Sequence, residues 1–527
     1  SITLFLAALL IRMYDLSNHP FILNGTEASI GLDALNTLRG ITRGPFSTGW
    51  LTNPTLPLFL LAIPLQLLGP TVFALRLLSS IIGALTVVAT FLIGQRLYGR
   101  IVGLAAAIIL LGSHFHVHFS RLGLTNVWDA LLVLLSLGLI TIAWQQPPEE
   151  NRSTWLLAGL AAGWSAYLYT SSHILPLMLF ALMLLTLIFE RENWRKQGRN
   201  AVAMMGLALV VALPQLLYYQ ANPDIFMERA TALGILDSQS GWLSREMAHT
   251  GATQLQLWIQ QLSRAALAYN ATLDTGTSYG PFIPLLNFVS GVLAFFGFIM
   301  ALLRLRQLRY SMLVVWITST IIFAGAMLEN PPGSHRYIIT APAVSLIAAI
   351  ALVEFTKILV ILKRVKHEAV AQETTWSRRR VLFVIIPLLI ASFIAVYDIG
   401  YYFGPYRNQH HFADRNTEIA DVMAGYLNTL EGDWSAYFYG APAMYTDFPT
   451  IPFLASNFQE DVNLFDVLEP GSELPVTKSP NVVFLFLPER YGEMITPKLD
   501  YPYGKELSFD GYYSDPLFHA YEVRKGP

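Results

Sequence analysis

No cysteine occurs among the 527 residues, which removes disulfides, thiolate metal ligands, cysteine nucleophiles and thiolate-held iron–sulfur clusters together. Charge is scarce as well: Asp, Glu, Lys and Arg make up 13% of the chain, about half the share of an average soluble domain. The 34 basic and 36 acidic residues leave a net of −2, so no global basic surface invites nucleic acid. Repeats of solenoid period and low-complexity tracts are also missing. What remains is apolar: 54% of residues are hydrophobic and the mean hydropathy is +0.46. These residues fall in blocks of roughly 17 to 25, enough for a helix to span a hydrocarbon core. A purely soluble enzyme is excluded, and the chain reads as a polytopic α-helical membrane protein.

Eleven spans are expected, at about 1–14, 71–95, 101–118, 125–145, 154–170, 173–190, 201–219, 283–303, 311–328, 338–356 and 381–403. The first is short and begins without Met, so the natural N-terminus is expected to lie upstream, and no cleavable signal peptide is legible. With the N-terminus inside, the basic turns Arg96–Arg100, Arg191–Arg199, Arg304–Arg309 and Lys357–Arg380 all fall on the cytoplasmic side. Together with Arg152, they hold 17 of the 34 Lys and Arg residues. This parity requires that Pro54–Leu68, with prolines at 54, 57 and 64, lie at the interface as a juxtamembrane helix. Residues 1–403 then form the membrane domain, with large external loops at 15–70 and 220–282. The latter includes an amphipathic stretch, Thr253–Leu267. The tail, 404–527, contains no span and carries a net of −10. Its segments DRNTEIADVMAGYLNTL, SAYFYG and NVVFLFL read as one helix and two buried strands, so a small extracytoplasmic α/β domain is expected.

Several residues could carry chemistry. Glu27 opens a short helix in the first loop; it is either a general base facing a membrane-embedded pocket or a partner of the helix dipole behind a Thr26 cap. Asp129 lies near the external end of its span, where an ionisable group faces a cavity or reaches water. Asp398 and Glu354 are weaker candidates of the same kind. Arg76, Arg121 and Arg336 fall at external span ends, where each is an interfacial anchor or the three together hold a lipid phosphate. His335 and Asp33 complete the candidate substrate-binding set. His114, His116 and His118 alternate, a spacing that does not place three imidazoles on one helix face, and no metal is expected. Asn24, Asn151 and Asn270 match a glycan-acceptor triplet, a pattern common by chance.

The order NGTEASIGLDAL, NPTLPLFLLAIPLQLLGPTVFALRLLSS, IIGALTVVATFLIGQRLYGR, SHFHVHFSRLGLTN, AGLAAGWSAYLYTSSHILPL and SHRYIITAPAVSLIAAIAL resembles the GT-C type membrane glycosyltransferases, in the protein mannosyltransferase and aminoarabinose transferase superfamily. The resemblance implies transfer of a sugar from a polyprenyl-phosphate carrier to an acceptor (protein, lipid or glycan) at the outer face, with inversion, no cofactor and no nucleotide sugar. It also implies a bacterial cytoplasmic membrane, and Arg336 as the first phosphate contact. Two positions depart from the family. Its Asp-Glu pair reads Thr26-Glu27 here, and Asn126 stands where a second Asp is common, with Asp129 a turn later. Glu27 and Asp129 are the substitutes expected to act if the chain is an enzyme. The alternative is a catalytically inactive subunit of a larger membrane complex.

Overall fold

The structure, a computed structural model, describes residues 1–527 except 43, 227, 229–233, 236–240, 275, 366–373, 411, 456–461, 475–478 and 525–527. Much of the basic segment expected at Lys357–Arg380, and part of the second large loop, lies outside the described residues. Ten helices run through the first 221 residues: α1 Ile2–Met13, α2 Gly25–Leu38, α3 Leu56–Leu68, α4 Val72–Tyr98, α5 Arg100–Gly112, α6 His114–Phe119, α7 Asn126–Gln145, α8 Arg152–Trp164, α9 Leu175–Phe189 and α10 Arg191–Ala221. Among the described residues seven helices are long and apolar enough to cross a membrane, the last three being Leu308–Ala326, Ser334–Leu359 and Val381–Tyr406. Four of the eleven expected spans are shorter: α1, α5, α8 and Phe288–Leu303 run to 12, 13, 13 and 16 residues. Local chemistry explains two of these breaks. Ser113 ends α5 and caps α6, and a tight 3-10 turn at Ser165–Tyr167 ends α8.

The bundle closes around Ser334–Leu359, the most buried of the long helices. Helices α4 and α5 approach so closely that a Cβ on Gly94 would lie 2.9 Å from the Gly103 backbone, an approach only glycine permits. Around this core the outer helices show Leu, Ile, Val and Phe outward, the pattern of helices solvated by lipid. The basic turns gather at one end: Arg309 bonds the Leu97 carbonyl, Glu190 accepts from Leu308 N–H, and Asn193 bonds the Trp144 carbonyl. Glu354 belongs to this end, beside Arg304 and Lys357, and Asp398 accepts from Asn287 inside the bundle.

At the opposite end stands the tail. Helix Arg415–Leu427 is followed by five strands, β1 Trp434–Tyr439, β2 Val462–Asp466, β3 Asn481–Phe486, β4 Lys505–Asp510 and β5 Pro516–Val523. They form one sheet in the order β2-β1-β3-β5-β4, parallel across β2, β1 and β3 and antiparallel beyond. Every residue of β1 is buried, as a central parallel strand covered on both faces requires. Edge strand β4 turns Lys505, Glu506 and Asp510 outward, which discourages pairing with another chain. The strands at β1 and β3 are the two that period and composition mark. Strand β4, KELSFD, is too polar to read as a strand, and the apolar residues of β5 are interrupted by His519 and Glu522.

The tail domain rests on the first loop. The Leu23 N–H donates to Asp421 Oδ1 at 3.2 Å, and the Thr450 hydroxyl donates to the Leu23 carbonyl at 3.2 Å. A Cβ at Gly31 of α2 would lie 2.4 Å from the Phe453 ring, so the absence of a side chain there admits the tail's aromatic.

Candidate functional site

Of the residues singled out in the sequence, Glu354 lies at the basic end; those of the expected site lie toward the end that carries the tail and divide into three groups. In the first, Glu27 and Arg76 form a fully buried pair: Arg76 Nε and Nη2 each donate to one carboxylate oxygen at 2.9 Å. The Gly123 N–H adds a third donor to Glu27 at 2.7 Å. Arg76 spends its remaining protons on the carbonyls of Leu16, Pro20 and Ile22. Arg121, also fully buried, donates to the carbonyls of Ile11, Arg12, Asp15 and His19. These two arginines staple the chain from Ile11 to Ile22 onto the bundle; neither presents its guanidinium to a lipid phosphate in this arrangement. Glu27, read either as a pocket-facing base or as a partner of the helix dipole, has both oxygens occupied. The helix cap is Asn24, whose side chain accepts from Thr26 N–H at 2.8 Å, rather than Thr26.

The second group surrounds the turn that precedes helix Ser334–Leu359. Asn126 donates to the His335 carbonyl at 3.0 Å, and the His335 and Tyr169 rings lie 6.3 Å apart. Asp274, from the second large loop, accepts from the N–H groups of Gly276 and Ser334 at 2.9 and 3.0 Å and feels the charge of half-buried Arg336. Burial pushes the Asp274 carboxyl up, and its hydrogen bonds and Arg336 pull it back. Asp129 is fully buried with its carboxylate turned toward the backbone of Tyr169 and Ser172, without a well-formed hydrogen bond. The three histidines go to separate partners: His114 Nδ1 to the Tyr279 hydroxyl, His116 Nδ1 to Arg12, and His118 Nε2 to the Ser278 carbonyl.

The third group forms a cavity. Asp33 sits on α2, less than two turns past Glu27 but on another face. There it joins Asn36, Ser47, Thr48, Thr55 and Tyr218 around a polar space of about 250 Å³. The Trp50 N–H donates to Asp33 Oδ2 at 2.7 Å, and Oδ1 has no hydrogen-bond partner among the described residues. Burial raises the Asp33 carboxyl above the ordinary range, with the Trp50 bond opposing. A network of hydroxyls shapes the wall, with Thr55 bonded to the Gly44 and Ser47 carbonyls and Thr48 to Tyr218. The segment Ser165–Ile174 runs between the two groups: Tyr167 lies against Phe46, the residue before the cavity's Ser47, and Tyr169 against His335. Helix α3 separates the cavity from an apolar groove of about 380 Å³. Leu58 lines the cavity; Leu60, Ile63 and Leu67 line the groove, opposite Leu78, Trp128 and Trp164.

Of the expected site residues, only Asp33 lines the polar cavity; Arg336 and His335 stand in the neighbouring turn, and Glu27, Arg76, Arg121 and Asp129 are enclosed by protein. Ser47, Thr48 and Thr55 carry a sequence signal, as a hydroxyl-rich stretch between apolar runs. Tyr218 and Asp274 carry none, because each arrives from a distant part of the chain.

The architecture is a GT-C fold, similar to that of the solved structures below. Residues 52–218 match the family of dolichyl-phosphate-mannose-protein mannosyltransferases, a stretch that runs from the cavity wall to Tyr218. Among solved structures the chain is similar to ArnT from Cupriavidus metallidurans: apo, 13% identical with a TM-score of 0.56, and bound to undecaprenyl phosphate, 12% identical with a TM-score of 0.59. Both comparisons cover 99% of this chain and 97% of that one. The Archaeoglobus fulgidus oligosaccharyltransferase is also similar, 14% identical with a TM-score of 0.51, over 89% of this chain and 64% of that one. No curated protein matches by sequence.

Proposed function

We propose that this protein transfers a sugar from a polyprenyl-phosphate carrier to an acceptor at the face bearing the tail domain. One observation carries the reading: a polar, carboxylate-bearing cavity and an apolar groove lie on either side of a single helix, α3. A lipid-borne sugar needs that pairing, a dry channel for the isoprenoid and hydroxyl-rich walls for the glycosyl group. The fold, and the undecaprenyl phosphate bound to the similar ArnT, support it. In the displacement, the acceptor oxygen attacks the anomeric carbon while its proton passes to a carboxylate. The carbon–oxygen bond to phosphate breaks, and the electron pair leaves with the polyprenyl phosphate. Asp33 is the carboxylate best placed to accept that proton, since it is half-buried, raised and has one oxygen unengaged. Arg336 is the proposed contact for the departing phosphate and Asp274 the residue that holds its turn.

Turnover of polyprenyl-phosphate sugars by purified protein, with Asp33→Asn and Glu27→Gln alongside, tests the proposal. We expect Asp33→Asn to lower kcat by about 10²–10⁴-fold while carrier binding persists. The rising limb of the wild-type pH–rate profile should be displaced upward from that of a free aspartate, as burial of Asp33 requires, and vanish in that variant. Loss confined to Glu27→Gln, in a protein of unchanged stability, would move the base to Glu27. The second reading, an inactive subunit of a membrane complex, is favoured by the enclosure of Glu27; it predicts that none of these changes alters any transfer.

A further inference from the structure

At the basic end, far from the polar cavity, a second apolar groove of about 320 Å³ lies between α7, α8, α9 and α10. Its walls include Trp144, Trp155, Trp194, Phe180, Met204 and Leu308. All three indole N–H groups are spent inside the protein: Trp144 on Glu190, Trp155 on Gln197, and Trp194 on Thr186. The Thr186 hydroxyl in turn donates to the carbonyls of Leu182 and Met183. The groove therefore offers ring faces and hydrocarbon but no free hydrogen-bonding group, which suits an alkyl chain and no polar ligand. Its size is that of a ligand pocket, which run from roughly 300 to 1,000 Å³.

What borders it is charged. Arg191, Arg195 and Arg199 stand at successive i, i+4 positions along the start of α10, all exposed, with Lys196 beside them. Like charges at that spacing repel one another. Among the described residues none of the four enters an ion pair. Glu190 and the exposed Glu192 offset part of this charge without pairing with it, Glu190 being held by the Trp144 indole and the Leu308 N–H, so the four cations remain in excess. Trp194 follows Arg191 by three residues and precedes Gly198 by four, so the cationic ridge runs beside the face that enters the groove. At Gly198 a Cβ would meet nothing nearer than Trp194 Cε3 at 3.9 Å, so the helix surface between the ridge and the groove-lining Trp194 is unfilled there.

We infer that this groove binds an anionic diacyl phospholipid, one acyl chain lying along the three tryptophans and the headgroup phosphate between Arg191 and Arg195. The excess of Lys and Arg places this end at the cytoplasmic leaflet, where such lipids are concentrated. The site is independent of the transferase reading.

The test is a titration of the purified full-length protein with phosphatidylglycerol and with phosphatidylcholine, followed by native mass spectrometry. Wild type is expected to bind phosphatidylglycerol at least about tenfold more tightly. Arg191→Gln with Arg195→Gln should erase that preference. Gly198→Leu should weaken both lipids by filling that surface; this change enters open space and raises helix propensity, so the fold survives it. Equal affinity of wild type for the two lipids would overturn the inference, as would a preference that survives the double substitution. Binding undiminished in Gly198→Leu would overturn the placement in the groove. Displacement of phosphatidylglycerol by undecaprenyl phosphate, blocked by Gly198→Leu, would overturn it in favour of the carrier's tail.

Discussion

A carboxylate gripped by a guanidinium on both oxygens is a strong tether and a poor proton acceptor. Glu27 is in that state, so its neutral isostere tests structure more than chemistry. Glu27→Gln leaves Arg76 buried and without its counter-charge, an error that typically costs about 3–5 kcal/mol. A lowered melting temperature is expected, whatever happens to turnover. A melting temperature equal to wild type would show that the pair opens in solution. The sequence places Glu27 and Arg76 in plausible neighbourhoods, at a loop helix and a span end. It does not reveal that they meet, because 49 residues separate them and the carbonyls that complete Arg76 come from an irregular segment. Asp33 is legible as an acidic residue of the same helix, whereas its orientation depends on the turn at Gly49–Trp50 that meets it.

At the scale of elements, α2 is held from two sides. The membrane bundle takes its Glu27 face, the tail domain takes Leu23 and Gly31, and Asp33 is left facing the cavity. Phe453→Ala removes the ring that fills the space over Gly31, at a cost of about 3–5 kcal/mol to the tail contact. If the contact positions α2, turnover should fall with little change in carrier affinity; equal kcat would assign it to stability alone. Asp421 makes the same contact sensitive to pH. Burial pushes its carboxyl up to about 6, with the Leu23 N–H opposing. A raised carboxyl favours the folded state fully below the unfolded value of 3.8, and that contribution is lost as pH rises through about 6. The residue is incompletely enclosed, so the effect is of the order of 1–2 kcal/mol. Thermal unfolding should show wild type losing stability between pH 4 and 6 relative to Asp421→Asn, and the variant the more stable at pH 7. Parallel curves for the two proteins would refute this. The helix carrying Asp421 and strands β1 and β3 are marked by periodicity and apolar runs. The docking is not, because it depends on a glycine and an aromatic more than 400 residues apart.

For the whole molecule, the sidedness follows from counting crossings, and the count turns on α3. Its 13 residues measure about 20 Å as helix, short of the roughly 30 Å of a hydrocarbon core. Shortness alone does not decide, since α5 is equally short; α5, however, continues through Ser113 into α6, whereas α3 stops at Gly69. The contacts are consistent with the same parity, because the first loop meets the tail domain while the basic turns meet one another at the far end. The absence of cysteine makes this directly measurable, for any introduced thiol is the only one among these 527 residues. Ile41 in the first loop and Tyr503 in the tail are exposed at 64% and 99%, and Glu192 is exposed at the start of α10. Ile41→Cys and Tyr503→Cys should both react with a membrane-impermeant maleimide applied to intact cells, and Glu192→Cys only after lysis. If α3 crossed, Ile41→Cys and Tyr503→Cys would be labelled from opposite sides. The polar cavity and the tail would then face different compartments, and a transferase whose tail domain buttresses its own active-site helix would be ruled out.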